Sequence, residues 1–287
     1  MGKFSDYFNR AFPTLGMLLI NRPAARKRLR GRIEGPVVEG ATLMSRQGKP
    51  SVVFFSCHKA GSSISLKYLK KLMRENDLRH VNYEGYITSI CAEKEVLYED
   101  SDFLSRAFSP SGYFFGCLRS YRHIPALDQY RVILLLRDPR DILVSHYYTV
   151  RYINTIYHKR GIVARKMAKK MTPDEYALHV LPRFKKVFEE YIEHLLGKEN
   201  VFFARFEDLI QDSAGWLKQV SEHCNLECSI DLRQEIAEKI NSLPKKEEKR
   251  SHHRKASPGE FRLKLAQETQ DIINRELQDI LKKLNYV

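Results

Sequence analysis

A strand that shows one face to water alternates apolar and polar side chains, but residues 131–136 read Arg-Val-Ile-Leu-Leu-Leu, five aliphatics in succession. Such a run is buried on both faces, which predicts the interior of a parallel sheet covered by helices on each side. Residues 51–56, 113–118 and 201–206 are three further apolar, aromatic or β-branched runs, with helical periods between them. One period passes through Ile64, Leu66, Tyr68, Leu69, Leu72 and Met73; another passes through Val144, Tyr147, Tyr148 and Arg151 from an N-cap at Asp141. Thr172-Pro173-Asp174-Glu175 combines a capping box with proline at the first helical position and predicts a helix to about Leu196. Further helices are expected over 214–224, 232–240 and 261–284. Strands alternating with helices predict an α/β fold of three layers: a mostly parallel central sheet, helices on both faces, and ligand loops at the carboxyl ends of the strands.

Residues 1–50 separate as a basic leader and a Gly- and Pro-bearing linker, and residues 51–287 as a single domain. In the leader Arg22, Arg26, Lys27, Arg28, Arg30 and Arg32 fall within eleven residues without an acid, after an apolar stretch over 12–20. That order suits a solvated arm or peripheral contact with an acidic membrane surface. The apolar stretch is broken by Pro13 and Gly16 and is far shorter than the ~20 residues that cross a bilayer, so a cytoplasmic chain, peripheral at most, is expected. The five cysteines are odd in number and scattered, which supports neither a disulfide framework nor, at Cys224 and Cys228, a complete zinc site. Over the whole chain 49 Lys and Arg oppose 35 Asp and Glu, a net charge of +14 that predicts an anionic partner without choosing one.

Two strand ends carry the chemistry. The first runs through Cys57-His58-Lys59-Ala60-Gly61-Ser62-Ser63 into the helix that begins near Ile64. Backbone N–H groups, two hydroxyls, the Lys59 ammonium and the positive end of a helix all favour a phosphate there. The Gly-x-x-x-x-Gly-Lys-Ser/Thr pattern is missing, which disfavours an ordinary P-loop nucleotide triphosphatase and leaves a plain strand-to-helix turn as the alternative. The second end follows the most buried strand as Arg137-Asp138-Pro139-Arg140-Asp141, with Ser145 one turn into the helix. The planar fork of Arg137 can grip a phosphate in two bonds and Ser145 can add a hydroxyl; the alternative is an Arg137 paired with Asp138 or Asp141.

Together these segments resemble the sulfotransferase family, which transfers a sulfuryl group from 3′-phosphoadenosine 5′-phosphosulfate (PAPS). The loop over 57–64 looks like that family's 5′-phosphosulfate loop: Lys59, Gly61, Ser62 and Ser63 match its Lys, Gly and hydroxyl positions, and Ala60 lies among them. Ile64 stands where cytosolic members stack a Trp on adenine. Arg137 and Ser145 match the 3′-phosphate motif at the family spacing, and residues 201–209 resemble the strand and acidic turn that follow it. Arg254-Lys255-Ala256, with Gly259 and Phe261 after it, is similar to the Arg-Lys-Gly segment that closes over the 3′-phosphate. The resemblance spans 51–287 and is closer to bacterial or glycan-type branches than to the small-phenol enzymes.

The resemblance implies a P-loop-like sulfotransferase fold and in-line sulfuryl transfer to a hydroxyl acceptor, whether alcohol, glycan or lipid head group. PAPS is the implied donor, 3′-phosphoadenosine 5′-phosphate (PAP) the product, and no metal is needed. Such transfer requires a held acceptor, a base for its proton and cations for the charge on the leaving phosphate oxygen. Lys59 takes the last role. The resemblance offers two bases: His123, in a segment similar to the family's His-Leu-Pro, and Glu84, placed like the glutamate of protein-tyrosine and some glycan and bacterial members. A small-molecule kinase with a related phosphate loop is the alternative activity. A non-enzymatic polyanion binder is a weaker one, and a nucleic-acid partner is not expected, because the aromatics sit inside apolar strands and helices.

Overall fold

The computed structural model of the 287-residue chain describes residues 33–89, 97–153, 159–243 and 258–287. In chain order its strands are β1 (Val52–Ser56), β2 (Arg79–Val81), β3 (Tyr113–Leu118), β4 (Arg131–Leu136) and β5 (Val201–Arg205). They form one sheet in the order β2-β3-β1-β4-β5, and every pair is parallel. The aliphatic run is therefore β4, an inner strand, and burial on both faces follows from its position. Val132, Leu134 and Leu136 enter one core with Val53, Phe55 and Phe115, while Ile133 and Leu135 enter the other with Val52, Phe54 and Phe114. That split is the two-residue period of a strand feeding two helical layers.

The helices are α1 (Glu34–Val38), α2 (Ser62–Glu75), α3 (Tyr83–Ser89), α4 (Ser101–Ala107), α5 (Pro139–Tyr148), α6 (Lys159–Lys170), α7 (Pro173–His194), α8 (Phe206–Gln211), α9 (Ser213–His223), α10 (Ile230–Asn241), α11 (Phe261–Lys264), α12 (Gln267–Glu276) and α13 (Gln278–Lys283). On one face α2, α9 and α10 bring Leu69, Leu72, Trp216, Leu217 and Ile236 to the sheet; on the other α5, α7, α12 and α13 bring Ile142, Phe188, Ile273 and Leu281. Removing one such side chain, as in Leu134→Ala, costs about 2–5 kcal/mol because the lost transfer energy is joined by a cavity. Among the described residues no helix is long and apolar enough to cross a membrane.

The capping box at the start of α7 forms as its residues predict. The Thr172 hydroxyl accepts from the Glu175 amide at 3.2 Å and the Glu175 carboxylate accepts from the Thr172 amide at 2.8 Å. Three expectations need correction. The linker over 35–50 is part of the folded body: Val37, Val38 and Leu43 lie in the core, and Glu34 accepts the Asn82 amide. The helix over 261–284 is broken into α11, α12 and α13, with extended backbone at Leu265 between the first two. The N-cap of α5 is Asp138, not Asp141, because Pro139 already holds the first helical position and Asp138 accepts the Arg140 amide. The short edge strand β2 and the helices α3, α4 and α6 are additions to the predicted elements; their segments are too short or too polar for a clear period. The basic leader, Cys91, Arg254 and Lys255 lie outside the described residues.

Candidate active site

In a sheet of order β2-β3-β1-β4-β5 the chain leaves β1 for one edge, returns beside it as β3, and then crosses to its other side as β4. The loops after β1, β3 and β4 diverge above this reversal, where open α/β sheets form their ligand crevice. Cys57, Arg119 and Arg137 are the first residues beyond those three strands, and Phe206 is the first beyond β5.

The β1 loop has a constrained backbone. Lys59 adopts φ +72° and Gly61 φ +78°, and Gly61 precedes α2 with no side chain capping the helix. Within the first turn the Ile64 amide donates to the Gly61 carbonyl at 3.1 Å, while the Ser62 and Ser63 amides precede the helical ladder, which is the basis of an anion site. Lys59 holds a left-handed conformation disfavoured for a side-chain-bearing residue, a strain typical of ligand loops. Gly61 is demanded by contact as well as by φ: a Cβ there would lie 2.3 Å from Cδ2 of Phe206. Ala60 and Ser62 are buried, whereas Ser63 is exposed at the mouth. The Cys57 thiol under the loop is pushed up by burial and stays protonated.

Arg119 joins this loop to the base candidate. Its guanidinium donates to the Ser62 hydroxyl, and its amide donates to the Glu84 carboxylate at 3.4 Å. Glu84, in the first turn of α3 just beyond β2, is 4% exposed and also lies 3.8 Å from Nε of Arg122. His123, the other candidate, is exposed and makes no hydrogen bond or ion pair with another described residue. The structure thus brings Glu84 toward the loop and leaves His123 on the surface.

On the other side of β1, Arg137 is buried above the ring of Phe206, with Cζ 4.8 Å from its centroid. Its guanidinium donates to Asp141 Oδ2 at 3.1 Å. Asp141 is wholly buried, and its carboxylate also accepts the amides of Gly259 at 2.8 Å and Phe261 at 3.0 Å. The pairing weighed as an alternative for Arg137 is therefore present, and it aims the guanidinium while three donors satisfy the buried carboxylate. Ser145 lies one turn beyond Asp141 on the same helix face and is partly exposed. Phe206 touches both Gly61 and Arg137, so one ring supports both candidate anion-binding elements. Below it Glu207 accepts from the Asp138 amide at 3.2 Å and the Tyr286 hydroxyl at 2.8 Å, and Arg140 donates to the Tyr286 carbonyl at 2.9 Å.

One expected residue stands differently. Ile64 is buried in the core beneath α2 with Tyr68 and Leu69, so it offers no open face to a base; its apolar side chain faces the sheet because it falls on the helix's inner stripe. His146, beside the 3′-phosphate motif, packs against Phe184 and bonds the Tyr176 hydroxyl at 3.0 Å. Burial first, then the charges of Arg183 and Lys59, lowers its pKa to about 4, so it is neutral at physiological pH. Residues 254 and 255 fall outside the description, but the amides of Gly259 and Phe261 tie the chain just after them to Asp141.

Sequence reading missed Arg119, Phe206 and the second role of Asp141. For Arg119 a signal existed: like Arg137 it is the basic residue immediately after an apolar strand run. Phe206 looked like the last residue of its strand, and no local pattern marks it as a support for another loop.

Residues 122–280 match the family model of the sulfotransferase domain. Retinol dehydratase in complex with androsterone and inactive cofactor PAP superposes with a TM-score of 0.56 at 15% identity, over 81% of this chain and 80% of that one. Mouse sulfotransferase SULT7A1 complexed with PAP gives 0.55 at 13% identity, over 89% and 90%. Retinol dehydratase in a complex with retinol and PAP gives 0.53 at 14%, over 86% of each. At these identities the likeness to the solved structures is one of fold. No curated protein matches the chain.

Proposed function

The chain belongs to the sulfotransferase family, enzymes that move a sulfuryl group from PAPS to a hydroxyl acceptor, and we propose how its residues divide that work. The observation that carries the reading is Arg119, which bonds Ser62 of the anion-binding loop with its side chain and Glu84 with its amide. PAPS, when bound, supplies the electrophilic sulfur and a phosphate leaving group. The residues present fit such a donor: a strained loop at a helix amino end for the 5′ side, and a buried, aimed guanidinium with a nearby hydroxyl for the 3′ side. Two of the similar solved structures contain PAP together with androsterone or retinol, which supports a donor of this kind and a hydroxyl-bearing acceptor.

In this assignment Lys59, Ala60, Gly61, Ser62 and Ser63 hold the phosphosulfate, and Arg137 with Ser145 holds the 3′-phosphate, joined by Arg254 and Lys255. Glu84 is the general base. It accepts the proton of the acceptor hydroxyl as the new oxygen–sulfur bond forms and the sulfur–oxygen bond to phosphate breaks. Lys59 and Arg119 meet the negative charge left on the phosphate oxygen. The basic leader and the segment before Gly259 are assigned to anionic surroundings, the first as a peripheral membrane contact.

Thermal stabilisation by PAP, set against ATP with magnesium, tests the reading. A rise in Tm with PAP alone, lost in Arg137→Ala, is expected; preference for ATP would overturn it in favour of a kinase. For the base, Glu84→Gln should lower kcat by about 10²–10⁴-fold at saturating donor while His123→Ala keeps near-normal turnover. The reverse pattern would move the base to His123.

A further inference from the structure

No Asp or Glu occurs from Ile142 to Pro173, a stretch holding seven Lys or Arg. Within it α6 is fastened by its inner face. Arg151 donates to the carbonyls of Ala168, Lys169 and Met171 at 2.6, 3.1 and 3.3 Å, and Arg165 donates to the Val150 carbonyl at 3.2 Å. Ala168 is buried with Tyr147, Val150 and Tyr176. The opposite face is bare: Ile162 is 46% exposed and Val163 56%, and Lys166, Lys169 and Lys170 follow on the same side. None of these three lysines forms an ion pair with an acid among the described residues. Tyr152, 40% exposed, stands in the π-helical turn packed against α6, with its hydroxyl bonded to Arg151 at 3.0 Å.

We propose that the outer face of α6 is a docking surface for an anionic phospholipid bilayer. Two adjacent aliphatic side chains exposed beside unpaired lysines match an interfacial helix, whose apolar tips enter the acyl boundary while ammonium groups meet lipid phosphates. An exposed tyrosine at the rim suits the headgroup level. A soluble polyanion would engage the lysines but has no use for Ile162 and Val163. Arg151 and Arg165 are turned inward onto backbone carbonyls, and no acid lies between Ile142 and Pro173 to neutralise the lysines of this face. The surface is also close to the chemistry. The turn after α5 packs on α6, and the last turn of α5 carries His146, which feels the Lys59 charge. Docking would therefore hold the mouth of the site near the bilayer, where a lipid head group can present its hydroxyl. That consequence rests on the sulfotransferase reading, whereas the docking itself does not.

The test is co-sedimentation of the full chain with phosphatidylserine-rich vesicles and with pure phosphatidylcholine vesicles, each at low and high salt. Binding to the first only, weakened by salt, is expected. Each lysine contributes about fivefold to the partition, so K166E/K169E/K170E should lose more than about 100-fold. I162S/V163S should lose several-fold with an unchanged salt dependence. Undiminished binding of either variant, or no vesicle binding by the parent chain, would overturn the proposal; the first result would move membrane contact to the leader. Heparin binding that is equal in the parent and I162S/V163S, without vesicle binding, would replace the bilayer with a soluble polyanion. The PAP-induced Tm shift, measured on the same variants, should be intact and shows that they are folded. If vesicle binding holds but no PAP response exists in any form, docking stands and the sulfotransferase reading fails.

Discussion

The Arg119 guanidinium donates to the Ser62 hydroxyl, fastening the end of β3 to the first turn of α2 across the mouth of β1. Because the Arg119 amide also donates to Glu84, one residue sets the spacing between the β1 loop and the proposed base. Arg119→Met should therefore lower kcat by about 10²–10³-fold, the loss typical of a removed transition-state donor, with Tm little changed. Arg119→Lys should recover part of it. Steady-state kinetics with a thermal melt separates this outcome from simple unfolding, which would lower both together.

Asp141 predicts a different signature. Its buried carboxylate accepts from Arg137, Gly259 and Phe261, so Asp141→Asn leaves donors facing an amide and should cost about 3 kcal/mol of stability in a urea titration. Arg137 then loses its aim. PAP affinity should fall about tenfold or more, while adenosine 5′-phosphosulfate, which lacks the 3′-phosphate, should bind nearly as before. Equal weakening of both ligands would place the effect on the whole fold.

Gly61 and Phe206 compete for one space. Gly61→Ala combines a Cβ that would lie 2.3 Å from the ring with a left-handed φ of +78°, and should destabilise by about 2 kcal/mol or more. Phe206→Leu in the same chain should return part of the steric loss but not the conformational one. A double-mutant cycle in urea measures the difference; additivity would show that the two residues do not interact.

His146 gives the protein an acid-sensitive element. Its folded pKa, lowered to about 4 by burial and by the Arg183 and Lys59 charges, lies below the ordinary 6.5, so the unfolded chain binds the proton first. The stability contributed by the neutral ring is present above pH 6.5 and is lost as pH falls from there to about 4. His146→Gln, which keeps an acceptor for Tyr176, should flatten urea midpoints across that window and leave those above it nearly unchanged. A parent slope that survives the substitution would assign the acid sensitivity to other groups.

The local signals in the chain were strong where a segment determines its own state. Five aliphatics in a row are typical of an inner strand, Thr172-Pro173-Asp174-Glu175 is a strong helix start, and β3 and β4 run over the predicted residues. Arg137 and the Lys59 loop were likewise visible, because a basic or small-residue break directly after an apolar run marks a strand end. Asp141 shows where such reading stops: an acid two residues past a proline looks like a cap, yet Pro139 shifts the helix start and frees the carboxylate for partners more than a hundred residues away.

By itself the sequence determined the parallel α/β layers, through periodicity, and marked two strand ends as candidate anion sites, through residue types at short spacing; the kind of donor came from the resemblance of those segments to the sulfotransferase family. Only the tertiary structure decided which groups meet: Glu84 rather than His123 linked through Arg119 to the β1 loop, and Phe206 beneath both Gly61 and Arg137. The physical reason is strand order. Once β3 and β4 flank β1, the residues after three separate strands become neighbours, and nothing in the pattern of any one segment records which strands will lie side by side.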